Sequence, residues 1–357
     1  MAMSRVGAIK ILGIAVLLAT MPLFCGHLSA QSTRWEVSLN GGFMTPNNFN
    51  MIEYSAWTVG GDVAWWYRCE GDSWWEWRRK YPQFGVKASF AYIPQSISGH
   101  RIGLVGLLRA PLTGALDYHI GVGLSMYTRS QYFTKDPDNI FISTLLSCLI
   151  DVGFDYRIGN GITASFSFLH SSNGLLHRPN KGLNYLQVGF GYAFGGDWKR
   201  MEERDVKRPS FNRTELNIAF QGGMATSRDL WVEGLRPCYD LSLNYQYYID
   251  PVVALGGTLD FWYNGTHTDL IRVYGYDYPI PCYVSTLAYA EGFWGSVSIK
   301  GGMGFTILAS PCVYVSLYER VGVYYNFSNN YVGVALNAHA GMIEFIELCY
   351  GIRIKGD

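Results

Sequence analysis

Charge is scarce in this chain. Acidic and basic side chains together make up 16% of its 357 residues, against roughly 25% in an ordinary soluble domain. They also cancel, 28 against 28, so there is no basic stripe of the kind a nucleic-acid partner requires. Cysteine is sparse as well, and its seven copies show no CxxC or Cys/His spacing of a zinc site. The seven histidines form no HExxH pattern. No metal and no cofactor are expected. Beyond Gln31 there is no uncharged apolar run of the ~18 residues that mark a membrane helix. What the chain has in abundance is glycine, 41 residues, and aromatic side chains, 16%. Low charge with many Tyr, Trp, Phe and Gly suits strands that meet lipid on one face.

The N-terminus reads as an export signal. Arg5 and Lys10 form a short positive region, Ile11 to Phe24 an apolar core, and Leu28-Ser29-Ala30 a cleavage site of small residues. Cleavage after Ala30 leaves a mature chain that begins near Gln31 and carries six cysteines. An oxidising compartment permits disulfides. Cys238 and Cys282, near predicted loops, are a candidate pair, and the other cysteines read as buried small apolar groups.

Past the signal, hydropathy alternates with period two. In Thr163-Ala164-Ser165-Phe166-Ser167-Phe168 and in Leu186-Gln187-Val188-Gly189-Phe190-Gly191-Tyr192, large apolar residues alternate with small or polar ones. That is a strand with one greasy face. A barrel in lipid puts that face outside, and only a closed barrel satisfies strand hydrogen bonds within a membrane. The expected fold is therefore all-β, an outer-membrane antiparallel barrel.

Eight strands are predicted in the first half, at Arg34–Met44, Thr58–Arg68, Phe84–Ile93, Ile102–Ala110, Ala115–Thr128, Ile142–Ile158, Ile162–His170 and Leu183–Phe194. Their connections mostly alternate long and short, as outer loops and periplasmic turns do. The exception is Cys69 to Gln83, with Trp74, Trp75 and Trp77, which reads as an aromatic segment at a membrane interface. About eight more strands follow, at Glu215–Met224, Tyr239–Tyr248, Val253–Tyr263, Tyr283–Glu291, Gly295–Ile307, Val313–Phe327, Tyr331–Gly341 and Glu344–Lys355. The expected organisation is a signal peptide (1–30), a first barrel (31–198), a charged linker (199–212) and a second barrel-like region (213–357). Alternation alone leaves open whether the two strand sets make two barrels or one larger one.

The stretch that carries chemistry is His170-Ser171-Ser172-Asn173-Gly174, followed by Arg178-Pro179-Asn180-Lys181-Gly182-Leu183-Asn184. His170 and Ser172 lie two residues apart, so in a continuing strand both side chains project to one face with Cα atoms ~6.5–7 Å apart. A serine hydroxyl becomes a nucleophile when a neighbouring base takes its proton. Ala164, Phe166, Phe168, His170 and Ser172 share one parity, and on the next strand Asn184 shares the parity of Leu186, Val188 and Phe190. All three polar residues are thus expected on the lipid-facing side, near the end where the long loops lie. The bland alternative is that Ser-Ser-Asn-Gly is turn chemistry and the chain a non-catalytic outer-membrane barrel, porin-like or structural.

This run resembles the PagL-type lipid A 3-O-deacylase (acyloxyacyl hydrolase) family, outer-membrane barrels with a His-x-Ser-Asn motif. The resemblance implies a serine esterase that removes an ester-linked acyl chain from lipid A, with lipopolysaccharide as its substrate partner. By that resemblance His170 is the general base and Ser172 the nucleophile. Asn173, the Gly174 amide and Asn180 are candidates for oxyanion stabilisation. The family's third member is a glutamate, and Asn184 stands at that position. An amide oxygen orients an imidazole, as in Cys-His-Asn enzymes, but brings no charge to the imidazolium. Asp136 and Asp138 are the alternative carboxylates in a neighbouring predicted loop. Arg129, Lys135, Arg178 and Lys181, in predicted outer loops, are candidates for meeting lipid A phosphates.

Overall fold

The computed structural model describes residues 32–46, 49–94, 97–131, 135, 138–196, 206–227, 234–275, 281–308, 312–313, 316–339 and 342–354. The signal segment, part of the charged linker and Asp136 lie outside the described residues. No helix among the described residues is long and apolar enough to cross a membrane.

Sixteen strands form two closed antiparallel barrels, eight in each, in sequence order. The first contains β1 (Thr33–Pro46), β2 (Ala56–Arg68), β3 (Gln83–Tyr92), β4 (Arg101–Thr113), β5 (Leu116–Tyr127), β6 (Leu146–Gly159), β7 (Ile162–Ser172) and β8 (Leu183–Phe194). It closes where β1 pairs with β8, from Trp35 opposite Phe194 to Pro46 opposite Leu183. The second contains β9 (Thr214–Thr226), β10 (Leu235–Asp250), β11 (Val253–Asn264), β12 (Cys282–Trp294), β13 (Val297–Leu308), β14 (Leu317–Phe327), β15 (Asn330–His339) and β16 (Met342–Ile354). It closes where β16 pairs with β9. The question that alternation left open is answered by these two closures.

The parity reading holds. Phe166, Phe168, Leu186, Val188 and Phe190 face outward, Phe190 with 66% of its surface exposed, while Ser167 and Gln187 are buried inside. Such an apolar exterior is unfavourable in water at about 25 cal/mol per Å² and suits an apolar surrounding such as lipid.

Each lumen is filled by side chains, as small barrels require. In the first, Arg109 bonds Glu36 (Nη1–Oε2, 2.8 Å) and Asp155 (Nε–Oδ2, 2.8 Å) and lies 4.0 Å from the centre of the Trp66 ring. His119 bridges Asp155 and Asp151, and Lys87 pairs with Asp151 and Asp62. Gly153 makes room for this network: a Cβ there would press on the Phe166 carbonyl and on the His119 ring. In the second barrel, Arg320 meets Asp240, Asp260 and Glu347 and stacks on Trp262. Lys300 pairs with Glu291 among Tyr289, Tyr324 and Tyr331.

Several local expectations are corrected. Ile142 is not in a strand; it is buried in the core from the β5–β6 loop, and β6 starts at Leu146. β14 starts at Leu317 rather than Val313. The Trp-rich connection between β2 and β3 holds a short helix, α1 (Trp74–Arg78), and Asn264 caps an unexpected helix, α2 (Gly265–Tyr274). Cys238 and Cys282 do not pair: Cys238 is buried, Cys282 is exposed, and both are free thiols.

Arg109→Met leaves two buried carboxylates without their cation. We expect it to destabilise the first barrel by about 3–5 kcal/mol, the cost of breaking a buried ion pair from one side. A lowered urea midpoint of the folded form seen on unheated gels checks this.

Candidate active site

β7 and β8 bring His170 and Asn184 directly opposite each other in the ladder. The His170 Nδ1–Asn184 Oδ1 distance is 2.7 Å. An amide oxygen only accepts, so Nδ1 carries the proton and Nε2 is left as the basic nitrogen. Nε2 has no hydrogen-bond partner among the described residues. His170 and Asn184 are partly exposed, and Ser172 is buried.

The two serines of the run are separated by strand alternation. Ser171 turns into the lumen, fully buried, with its Oγ 2.7 Å from Ser125 Oγ. Ser172 lies on the side of His170. Both flank Gly182: a Cβ built on it would stand 3.2 Å from His170 Cε1 and 3.6 Å from Ser172 Cβ. Gly182 also sits at φ +69°, a left-handed conformation that favours glycine.

The loop beyond Ser172 docks on the β5–β6 loop. The amides of Lys181 and Gly182 donate to the carbonyls of Ile140 and Phe141. Asn139 fastens the other side, its Oδ1 accepting from the Phe141 and Ile142 amides. Phe141 and Ile142 are thereby sealed into the core.

Among the oxyanion candidates, Asn173 has both amide groups engaged. Its backbone N–H donates to Asn180 Oδ1 at 3.1 Å, and its side chain donates to Ser143 Oγ at 2.9 Å. The Asn180 carboxamide therefore faces the loop through its oxygen and keeps its N–H groups as donors. Gly174 stands at φ +62°. Asp138 is exposed, and the partner found on His170 is Asn184 rather than a carboxylate. Among the described residues no group of three His, Cys, Asp or Glu is arranged to hold a metal ion.

Two family models match the chain. One, described as lipid A 3-O-deacylase (PagL), covers residues 56–193; the other, acyloxyacyl hydrolase, C-terminal domain, covers 214–356. The chain belongs to the PagL lipid A 3-O-deacylase family. The PagL match runs from β2 to β8 and includes His170, Ser172 and Asn184, and the C-terminal match coincides with β9 to β16. The second barrel, for which the sequence offered no motif, is thus a domain of the same family.

No curated protein matches the chain. Among solved structures, the outer membrane enzyme PagL is similar at 17% identity, with 44% of this chain and 98% of that one covered and a TM-score of 0.33. A de novo designed transmembrane β-barrel is similar at 12% identity over 47% of this chain and all of that one, TM-score 0.27. A Rh. blastica porin mutant is similar at 10% identity over 90% of this chain and all of that one, TM-score 0.22.

Sequence reasoning missed the Gly182 contact. Its signal was a glycine immediately before the strand that carries Asn184. Gly182→Ala is expected to destabilise the first barrel by about 1–2 kcal/mol, from the left-handed backbone alone, with His170 displaced as well. Lys181→Ala, at an exposed position, leaves the denaturation midpoint unchanged, and comparing the two midpoints checks the claim.

Proposed function

We propose that this chain is an exported outer-membrane esterase that hydrolyses an ester-linked acyl chain of lipid A. Residues 1–30 serve as its signal peptide, the first barrel (31–198) carries the catalysis, and residues 199–212 link it to the second (213–357). The observation that carries the reading is the His170–Asn184 hydrogen bond on the outward side of the wall, with Ser172 beside it. A hydrolase built inside a soluble cleft would have to extract its lipid. Here the reacting groups share the face of Phe168 and Leu186, at the barrel end where the longer loops gather. A bilayer lipid reaches them sideways. At the outer surface, that lipid is lipopolysaccharide.

Ser172 Oγ attacks the ester carbonyl while His170 Nε2 takes its proton. Asn184 Oδ1 holds the imidazole by Nδ1–H throughout. The carbonyl oxygen becomes an oxyanion, with the Asn180 carboxamide and the Gly174 amide as its candidate donors. Collapse breaks the bond to the sugar oxygen, which leaves with the proton from His170. The acyl-serine is then cleaved by water that His170 deprotonates in turn, releasing the fatty acid and restoring the serine. Arg129, Lys135, Arg178 and Lys181 lie on or beside the two loops over the site and are suited to the phosphates of lipid A. The lumens are packed with charged and aromatic side chains, which speaks against the porin-like alternative.

Mass spectrometry of lipid A incubated with the purified protein tests this. Wild type is expected to remove one acyl chain, and Ser172→Ala to abolish removal. Lipid A left unchanged by both would overturn the reading.

Asn184→Glu supplies the missing charge. A carboxylate about 4 Å from the imidazolium contributes several kcal/mol of attraction even at an effective dielectric near 20, partly offset by its desolvation in a lipid-facing wall. We expect kcat to rise by about tenfold, the equivalent of 1.4 kcal/mol. A fall in kcat would show that the amide is the better partner here.

A further inference from the structure

The outward residues of the site have inward neighbours, and these are joined to one another. Ser171, between His170 and Ser172, is fully buried in the lumen with its Oγ 2.7 Å from Ser125 Oγ. Tyr127, the next inward residue along β5 from Ser125, is buried on the same side of the wall as both serines. Tyr185, which follows Asn184 on β8, is equally buried and donates from its hydroxyl to that of Tyr127 at 2.9 Å. The guanidinium of Arg101, 1% exposed, lies 4.6 Å from the centre of the Tyr185 ring and holds it from the other side.

Consecutive side chains of a strand leave the backbone in opposite directions. Pinning Ser171 inside therefore sets the direction of His170 and Ser172 outside, and pinning Tyr185 sets that of Asn184. Tyr127 joins the two pins, because it bonds Tyr185 and stands on β5 two residues from Ser125, the partner of Ser171. β7 and β8 are neighbours, but ladder hydrogen bonds alone permit the small rotations and shears that would lengthen the His170–Asn184 contact. A buried hydroxyl network, satisfied throughout, resists them.

We propose that Tyr127 is a positioning residue for the site, a lumen hub that holds the Ser172–His170–Asn184 group in register through Ser171 and Tyr185. This rests on the reading of Ser172 as the nucleophile. No covalent step passes through Tyr127, and it does not touch the substrate.

The test is Tyr127→Phe in the full-length protein in detergent micelles. The ring still fills the space, and only the hydroxyl is removed. Kcat for acyl release from lipopolysaccharide is expected to fall about 10- to 100-fold, as a sub-ångström to ångström misplacement does, with KM within about twofold because the lipid-facing surface is unaltered. The rate at which a serine-directed alkyl phosphonate labels Ser172 should fall in parallel. The Tyr127→Phe/Ser171→Ala double variant should lose little more than either single variant, since both break one network. Should Tyr127→Phe fail to give the folded band on unheated gels, Tyr185→Phe removes only the neighbouring donor and carries the same expectation.

Wild-type kcat and labelling in a folded Tyr127→Phe or Tyr185→Phe protein would overturn the inference while leaving the esterase reading intact. A loss that appears in KM, with kcat unchanged, would also overturn it. Wild-type protein that neither releases acyl chains nor is labelled at Ser172 would overturn both.

Discussion

A strand in hydrocarbon has no water to satisfy its backbone, so every N–H and C=O must find a partner on an adjacent strand. Closure of the ring follows, and from closure follows strict alternation between a lipid side and a lumen side. Both barrels obey it, with β1 returning to β8 and β16 to β9. The candidate site inherits its geometry from the same rule. Ser171 and Ser172 are adjacent in sequence but lie on opposite sides of the wall, one bonded to Ser125 inside and one beside His170 outside.

The amide at Asn184 is intelligible on the same terms. An ionised carboxylate on a lipid-facing wall is costly to desolvate, whereas an amide that accepts one hydrogen bond costs far less. Asn184 fixes the proton on Nδ1 and leaves Nε2 basic. What an amide cannot supply is charge attraction for an imidazolium. The imidazole is thus oriented by a dipole and not by a charge.

Period-two hydropathy made the strands legible because lipid enforces it at nearly every residue. Phe166, Phe168, Leu186 and Val188 announced their side of the wall, and His170, Ser172 and Asn184 could be placed by parity alone. What alternation does not encode is the partner of an edge. β8 can return to β1 or continue to β9 with the same pattern, so the number of barrels was invisible. α2 escaped because Gly265-Thr266-His267-Thr268 has no apolar period; the Asn264 cap, whose side chain accepts from the Thr266 amide, was its only local sign. Val313 was read into β14 because Val313-Tyr314-Val315 alternates like a strand. The Tyr127 network was hidden for another reason. Ser125, Tyr127, Ser171 and Tyr185 each look like an ordinary lumen residue, and only the register brings their hydroxyls together.

The ion pairs of the lumen have a bearing on how the molecule is assembled. Arg109 stands on β4, and its partners Glu36 and Asp155 stand on β1 and β6. Arg320 on β14 likewise reaches to β10, β11 and β16. None of these partners is carried by a sequence-adjacent hairpin. A hairpin entering the bilayer alone would drag a bare charge through hydrocarbon. Insertion one strand pair at a time is therefore disfavoured, and each barrel must gather its strands and neutralise its interior before, or while, it passes into the membrane.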